Sequence, residues 1–247
     1  MPSCRKLFFL LTLHRKQEKT VITNKERIKT MKNVLLIGAT GFVGSAILSE
    51  LVARGHKVTA VARNLDKVLK NDNVTPVKAD VANVDEIAKL ADGKDAIISA
   101  YNPGWANPDI KKLIETNYPN ILEAAKKSGV KRLLIVGGAG TLFVKPGLRV
   151  VDSGAIPAAI MDGVRPLGDF YLNTLTKEND IDWIFLSPAG AFDEKGERTG
   201  EFRLGKDNLI VDPKTGTSHI SVQDYAVAMV DELEKPAHHK ERFTLGY

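Results

Sequence analysis

Residues 33–44 read Asn33-Val-Leu-Leu-Ile-Gly38-Ala-Thr-Gly41-Phe-Val-Gly44, an apolar run that flows into three glycines spaced G-x-x-G-x-x-G. That junction is suited to holding a diphosphate. A buried strand, Val34 to Ile37, delivers the backbone to a turn where a side chain at Gly38 or Gly41 would block an approaching anion. The helix that follows aims its unpaired N–H groups and the positive end of its dipole at phosphate oxygens. Gly44, one turn into that helix, lets helix and strand pack closely. A glycine triplet alone also describes a tight strand-to-helix turn. The strand before it, the amphipathic helix after it and a second strand about 20 residues later supply the context that a dinucleotide site requires.

The elements that must carry this turn are legible. Val43, Ala46, Ile47, Leu48, Leu51 and Val52 recur at helical spacing as a stripe that faces a sheet, Gly55 stops the helix, and Lys57 to Val61 forms the next strand. The end of that strand decides which dinucleotide fits. A site for NAD usually places Asp or Glu there for the ribose 2′-hydroxyl, whereas a site for NADP offers room and positive charge. This chain has Ala62-Arg63-Asn64, with no carboxylate until Asp66. Arg63 therefore points to NADP, and NAD stays open.

Strand and helix alternate through the rest of the chain. Asn73–Ala79 reads as a third strand, Val84–Leu90 as a short helix and Asp95–Ala100 as a fourth strand. A long helix runs from Asp109 to Lys127. A fifth strand follows at Lys131–Val136, then a helix near Leu167 to Glu178 and a sixth strand at Asp182–Ser187. The pattern predicts an α/β fold, doubly wound, with a mostly parallel sheet, helices on both faces and a small C-terminal substrate-side region. A ligand then lies across the carboxyl ends of the strands. Those ends are Gly38–Gly44, Arg63, Asp80-Val81, Ser99-Ala100-Tyr101, Gly137-Gly138 and Pro188-Ala189.

Charge excludes one class of partner. The 247 residues carry a net +5, yet residues 1–30 hold eight Lys or Arg against two Glu, which leaves −1 for residues 31–247. The basic balance belongs to the N-terminal segment, so nothing here points to nucleic acid. The apolar run Leu7–Leu13 is too short to span a bilayer, and no small-residue cleavage site follows it. Residues 1–30 read as an upstream extension, disordered or not native, with the NAD(P)-binding domain over 31–247. The one cysteine, Cys4, lies in that extension, which excludes a disulfide framework and suggests the cytoplasm.

With these residues in hand, Gly38-Ala-Thr-Gly-Phe-Val-Gly44, the Asp80-Val81 pair and Ile181-Asp-Trp-Ile184 resemble an atypical short-chain dehydrogenase/reductase with a Rossmann-like domain. More narrowly, the chain resembles the NmrA-like and NADH-flavin-reductase-like NAD(P)-binding group, also in Asn102–Trp105, Arg203–Asp207 and Ser218–Ser221. The resemblance implies that Gly38, Thr40, Gly41, Phe42, Val43 and Gly44 hold the diphosphate. Arg63 would meet the adenosine ribose or its phosphate, and Asp80 with Val81 the adenine. Ser99, Ala100, Tyr101 and Pro188 would line the nicotinamide half, with Gly137 beside them.

The departures matter as much. Most dehydrogenases of that superfamily use a Tyr-x-x-x-Lys pair, in which lysine lowers the tyrosine pKa for proton exchange with an alcohol. Here Tyr118, Tyr171 and Tyr225 have Leu122, Leu175 and Met229 at that offset, and counting back from Asp182-Trp183 the pair falls near Arg165 and Asp169. No catalytic residue is therefore assigned. Hydride transfer to a flavin or quinone needs mainly the alignment of two flat rings. An open glycine floor at Gly137–Gly140, edged by Tyr101 and Trp105, would suit such a small planar acceptor; tight turns and loop packing explain the same residues. A non-catalytic NADP redox sensor is the alternative, and a nucleotide-sugar epimerase or dehydratase is disfavoured by the missing pair.

Several residues take structural readings. Asn117 shares the buried stripe of the long helix and precedes Pro119; the resemblance allows an asparagine near the active site in mid-helix, and the structural reading, a partner for the kink that Pro119 makes, is preferred. His219 precedes a helix opened by Ser221 and Asp224 as a capping box. His238-His239 lacks supporting ligands, so no metal is assigned. Residues 193–217 read as a hairpin and loop beside the crevice, a candidate lid.

Overall fold

The computed structural model describes residues 31–193 and 195–247; the expectations for residues 1–30 lie outside them. The order is β1 (Asn33–Ile37), α1 (Phe42–Ala53), β2 (Lys57–Val61), β3 (Val74–Val77), α2 (Val84–Ala91), β4 (Ala96–Ser99), α3 (Ile110–Ser128) and β5 (Arg132–Val136). There follow β6 (Phe143–Lys145), β7 (Leu148–Arg149), α4 (Met161–Asn173), β8 (Asp182–Ser187), β9 (Ala191–Asp193), β10 (Arg203–Gly205), β11 (His219–Ser221), α5 (Val222–Glu234) and β12 (Glu241–Gly246).

Eight strands form one sheet in the order β10-β12-β8-β5-β4-β1-β2-β3. All neighbours run parallel except β10, which pairs antiparallel with β12 at one edge. At the other edge Pro76 of β3 sits opposite Ala60. The central strands are apolar on both sides because both faces are covered. Leu36, Ala60, Ile98, Leu134 and Ile184 pack with Ile47 and Leu51 of α1 and Tyr225 and Met229 of α5. Leu35, Ile37, Ile97, Leu133 and Phe185 pack with Ile87 of α2, Ile114, Tyr118 and Ile121 of α3 and Phe170 of α4. The helices end where the sequence stops them, with Gly55 at φ +81° and Gly129 at φ +71° just past α1 and α3.

Two expectations need correction. The helix before β8 starts at Met161 rather than Leu167 and closes at Asn173, with a 3-10 turn over Leu175–Lys177. Gly163 and Pro166 disfavour a helix locally, but packing holds it through them and through Gly168: a Cβ on Gly163 would stand 2.6 Å from the Trp105 ring, and one on Gly168 2.9 Å from Thr141 Cγ2. Among the described residues of 193–217 no hairpin forms within the stretch itself. β9 pairs in parallel with β11, β10 joins the main sheet, and the stretch between them is moored on the helices. Arg198 makes two hydrogen bonds to Glu50 of α1, at 2.9 and 2.8 Å, and Thr199 N and Gly200 N donate to Asp224 of α5 at 2.9 and 2.8 Å. These bonds tie the first part of the candidate lid down.

Candidate functional site

Because β8, β5, β4, β1, β2 and β3 run parallel, their carboxyl ends line one edge of the sheet. Along it stand Pro188, Gly137, Ser99–Tyr101, Gly38–Gly44, Arg63 and Asp80-Val81, in that order. The chain leaves β1 toward β2 and β3 on one side and continues from β4 toward β5 and β8 on the other. The glycine turn thus sits at the point where strand order reverses.

The three glycines are there for different reasons. Gly38 has φ +80°, and a Cβ on it would lie 2.5 Å from the Ala100 carbonyl oxygen. A Cβ on Gly44 would lie 2.0 Å from the Gly38 carbonyl oxygen. Both are required by the way β1, β4 and α1 meet. Gly41 differs: a Cβ there would touch only Gly38 O, at 3.4 Å, an ordinary contact. The fold itself does not demand glycine at position 41, and the space beside it is open.

Gly41 is also the N-cap of α1, and it brings no side-chain cap; the first turn carries no acidic residue. By contrast Asn83 caps α2 through Glu86 N and Ser221 caps α5 through Asp224 N. The start of α1 therefore leaves N–H donors without a side-chain acceptor beside an open space, an arrangement that accepts an anion. Thr40 is half-exposed at this turn and Val43 packs on the core. Phe42, 49 % exposed, packs edge-on to Phe192 with centroids 5.7 Å apart.

Arg63 is exposed and makes no hydrogen bond or ion pair among the described residues. Asp80 is exposed and accepts from Ala82 N at 2.9 Å, while Val81 is buried beneath it. On the other side of the glycine turn, Ser99 is fully enclosed and Ala100 packs its carbonyl against Gly38. Tyr101 is half-buried. Burial pushes its phenol above the ordinary tyrosine range, against the opposing hydrogen bond from Asn117 and the positive charge of Arg63, with Asp80 adding to the rise. Arg63, Asp80 and Tyr101 thus lie within electrostatic reach of one another. Pro188 is buried at the end of β8.

Asn117 does more than the kink reading allowed. It is buried in mid-α3 and donates Nδ2–H to the Tyr101 hydroxyl at 2.6 Å. The signal was in the sequence, a polar residue on an apolar helical stripe, but its partner was not.

At the glycine-rich end of β5 the space on the Cβ side is filled, while Gly137 and Gly138 stay half-exposed. A Cβ on Gly137 would enter the Phe185 ring at 2.4 Å, one on Gly138 would meet Leu167 at 3.3 Å, and one on Gly140 would meet Val164 at 2.6 Å. Packing against β8 and α4 accounts for these glycines. Trp105, 55 % exposed, lies against Gly163 of α4 with its inner edge.

Arg165 and Asp169, which occupy the place of the absent Tyr and Lys, turn to the other flank of α4. They line a cavity of about 120 Å³ with Gly140, Thr141 and Asp152. On the flank toward α3 and Trp105, α4 presents Gly163 and Phe170. Neither of these two α4 residues carries a proton-exchanging group. His219 packs edge-on to Tyr247 at 5.1 Å, and His238 and His239 pair with Glu232 and Asp182 at 2.8 and 2.9 Å. Among the described residues no group of three or more His, Cys, Asp or Glu could hold a metal ion, and no helix is long and apolar enough to cross a membrane.

The profile of an NAD(P)H-binding family matches residues 38–236, from the first glycine of the turn almost to β12. The chain belongs to this NAD(P)H-binding family. Its relatives include the uncharacterized protein YwnB of Bacillus subtilis, 40 % identical over 212 residues, which span 85 % of this chain and 96 % of YwnB. Among solved structures, a candidate epimerase of Bacteroides thetaiotaomicron superposes with a TM-score of 0.82 at 52 % identity, covering 88 % of this chain and 98 % of that one. A candidate NADH-flavin reductase of Streptococcus pneumoniae superposes with a TM-score of 0.75 at 34 % identity, covering 87 % and 99 %. The fold of this family member is the Rossmann-like one of atypical short-chain dehydrogenases/reductases, and its kinship is with oxidoreductase-like NAD(P)-binding proteins.

Proposed function

We propose that this chain is an NAD(P)H-dependent oxidoreductase that reduces a small planar acceptor, a flavin or a quinone, with NADPH as its preferred reductant. The observation that carries the reading is the open space at Gly41 beside the uncapped start of α1, a cradle that any side chain would fill. In this reading the N–H groups of the turn through Phe42, Val43 and Gly44 bind the diphosphate. Arg63, exposed and unspent, pairs with a 2′-phosphate. Asp80 and Val81 take the adenine, and Ser99, Ala100, Tyr101, Gly137 and Pro188 line the nicotinamide half. The bound dinucleotide supplies the reducing equivalents; the protein aligns the acceptor and keeps water out.

The apolar flank of α4 supports an acceptor that needs no Tyr-Lys pair and weighs against sugar epimerisation, although one structural neighbour is named a candidate epimerase. The neighbour named as an NADH-flavin reductase supports the flavin arm. With Cys4 as its one cysteine, the chain suits the cytoplasm. The test is calorimetry with NADPH and NADH, followed by NADPH oxidation on adding FMN, riboflavin or menadione. Binding together with accelerated oxidation is the expected result. The missing pair also favours a second reading, a non-catalytic sensor of the dinucleotide pool, and tight binding with no active acceptor would select it.

A further inference from the structure

Tyr101 is held at several points. Asn117, 4 % exposed, donates to its hydroxyl oxygen at 2.6 Å. The Tyr118 hydroxyl donates to its carbonyl at 2.8 Å, and the Tyr118 ring packs edge-on to its ring with centroids 5.7 Å apart. Phe170 of α4 backs Tyr118 in turn, at 5.3 Å. A ring fixed in this way keeps one free rotor, the phenol hydrogen. An amide N–H already occupies one lone pair of Oη, so that hydrogen must point away from Asn117 Nδ2. Among the described residues no protein group accepts it, and Tyr101 is half-buried rather than enclosed. The result is an aimed donor with no internal partner, next to the glycine turn. Neighbouring hydroxyls are not available in this way: Ser187 donates to the Gly138 carbonyl at 2.9 Å, and Ser99 is fully buried.

On the reductase reading given above, we infer that Tyr101 is the catalytic acid of the reaction, giving its phenol proton to the acceptor oxygen, and that Asn117 positions it. A quinone that takes a hydride from the reduced dinucleotide carries one negative charge on an oxygen that was a carbonyl. The Tyr101 O–H bond breaks and that oxygen gains the proton, giving the quinol; the dinucleotide leaves oxidised by two electrons. The Tyr101 phenolate keeps the Asn117 N–H as its donor and recovers a proton from water. The charged groups that face Tyr101 are Arg63 after β2 and Asp80 after β3, with Tyr118 of α3 as its other titratable neighbour. Burial pushes the phenol above the ordinary tyrosine range, and the Asn117 bond opposes that rise by supporting the phenolate when it forms.

Two substitutions in the full-length protein test this. Tyr101→Phe keeps the ring and its packing. Because the ring that lines the nicotinamide half is kept, it should weaken NADPH binding by calorimetry far less than it lowers kcat with menadione, which should fall about a hundred-fold or more. Asn117→Ala should lower kcat roughly ten- to a hundred-fold with KM for NADPH unchanged. It should also move the Tyr101 titration, followed through the resonance of isotope-labelled tyrosine Cζ and assigned by its loss in Tyr101→Phe, to higher pH. A merely structural asparagine would not move that titration. Wild-type turnover in Tyr101→Phe overturns the assignment, as does a fall in NADPH affinity as large as the fall in kcat, which would make the hydroxyl a cofactor ligand and not an acid. An unmoved titration in Asn117→Ala refutes the positioning role. A wild-type protein that binds NADPH but reduces neither menadione nor FMN overturns the reductase reading and the acid role with it, while the titration still decides the hydrogen bond.

Discussion

Replacing the glycines of the turn one at a time with alanine separates the needs of the fold from the needs of the ligand. At Gly44 a Cβ would stand 2.0 Å from the Gly38 carbonyl oxygen and 2.8 Å from its carbon, and both are backbone atoms that no rotamer change can move. Overpacking of this severity costs about 3 kcal/mol, which lowers Tm by roughly 6–12 °C in a chain of this size. Gly41 sits at φ −75°, open to any residue, and its Cβ meets one atom at 3.4 Å. Gly41→Ala should therefore stay within about 1 kcal/mol of wild type and could gain slightly from a stiffer unfolded chain. Its methyl group nevertheless occupies the space assigned to the diphosphate. Losing one charge-assisted hydrogen bond there weakens NADPH roughly ten- to a hundred-fold. Thermal melts read the first quantity and titration calorimetry the second. Wild-type NADPH affinity in Gly41→Ala, or a fall in Tm that matches Gly44→Ala, refutes the division of labour.

Three further outcomes are expected. Arg63→Ala should weaken NADPH roughly ten- to a hundred-fold with NADH affinity and Tm unchanged, because the guanidinium holds no partner among the described residues; equal losses for both dinucleotides in calorimetry would refute the 2′-phosphate role. Gly137→Ala should lower Tm whatever acceptor is present, since its Cβ enters the Phe185 ring; a melt unchanged from wild type would refute the packing role. Asp224 is fully enclosed: burial pushes its carboxyl up, but donors from Thr199, Gly200 and Tyr247 outweigh this and hold it below the ordinary range. With a folded pKa below the unfolded one, its contribution is complete above the unfolded value of about 3.9 and is lost as pH falls through the folded value. Asp224→Ala should cost about 3 kcal/mol at neutral pH, and denaturant melts from pH 7 down into the acid range should show that difference shrink.

The sheet was legible because buried parallel strands are written as continuous apolar runs. The bounds of β2 and β8 coincide with the sequence reading, and β1, β4 and β5 differ by one or two residues. α4 starts six residues before the position that the sequence predicts, because Gly163 and Pro166 argue locally against a helix. What admits them is tertiary: Trp105 needs the missing Cβ of Gly163, and Thr141 that of Gly168. β10 escaped notice because three residues, Arg203-Leu-Gly205, carry no period, and their partner β12 lies about 40 residues on. The glycine turn was visible as a motif, but sequence alone treats its glycines alike. Only the distances to Ala100 and Gly38 divide them. Asn117 was visible as an anomaly, and its role waited on the fold that brings Tyr101 to it.

The two margins of the main sheet bear on how copies of this chain can meet. At one side Pro76 withholds an amide hydrogen, and at the other a three-residue segment running against its neighbour offers too little ladder to extend. Self-association by strand addition is discouraged on both flanks. Copies of this chain that associate would use surfaces other than these two margins.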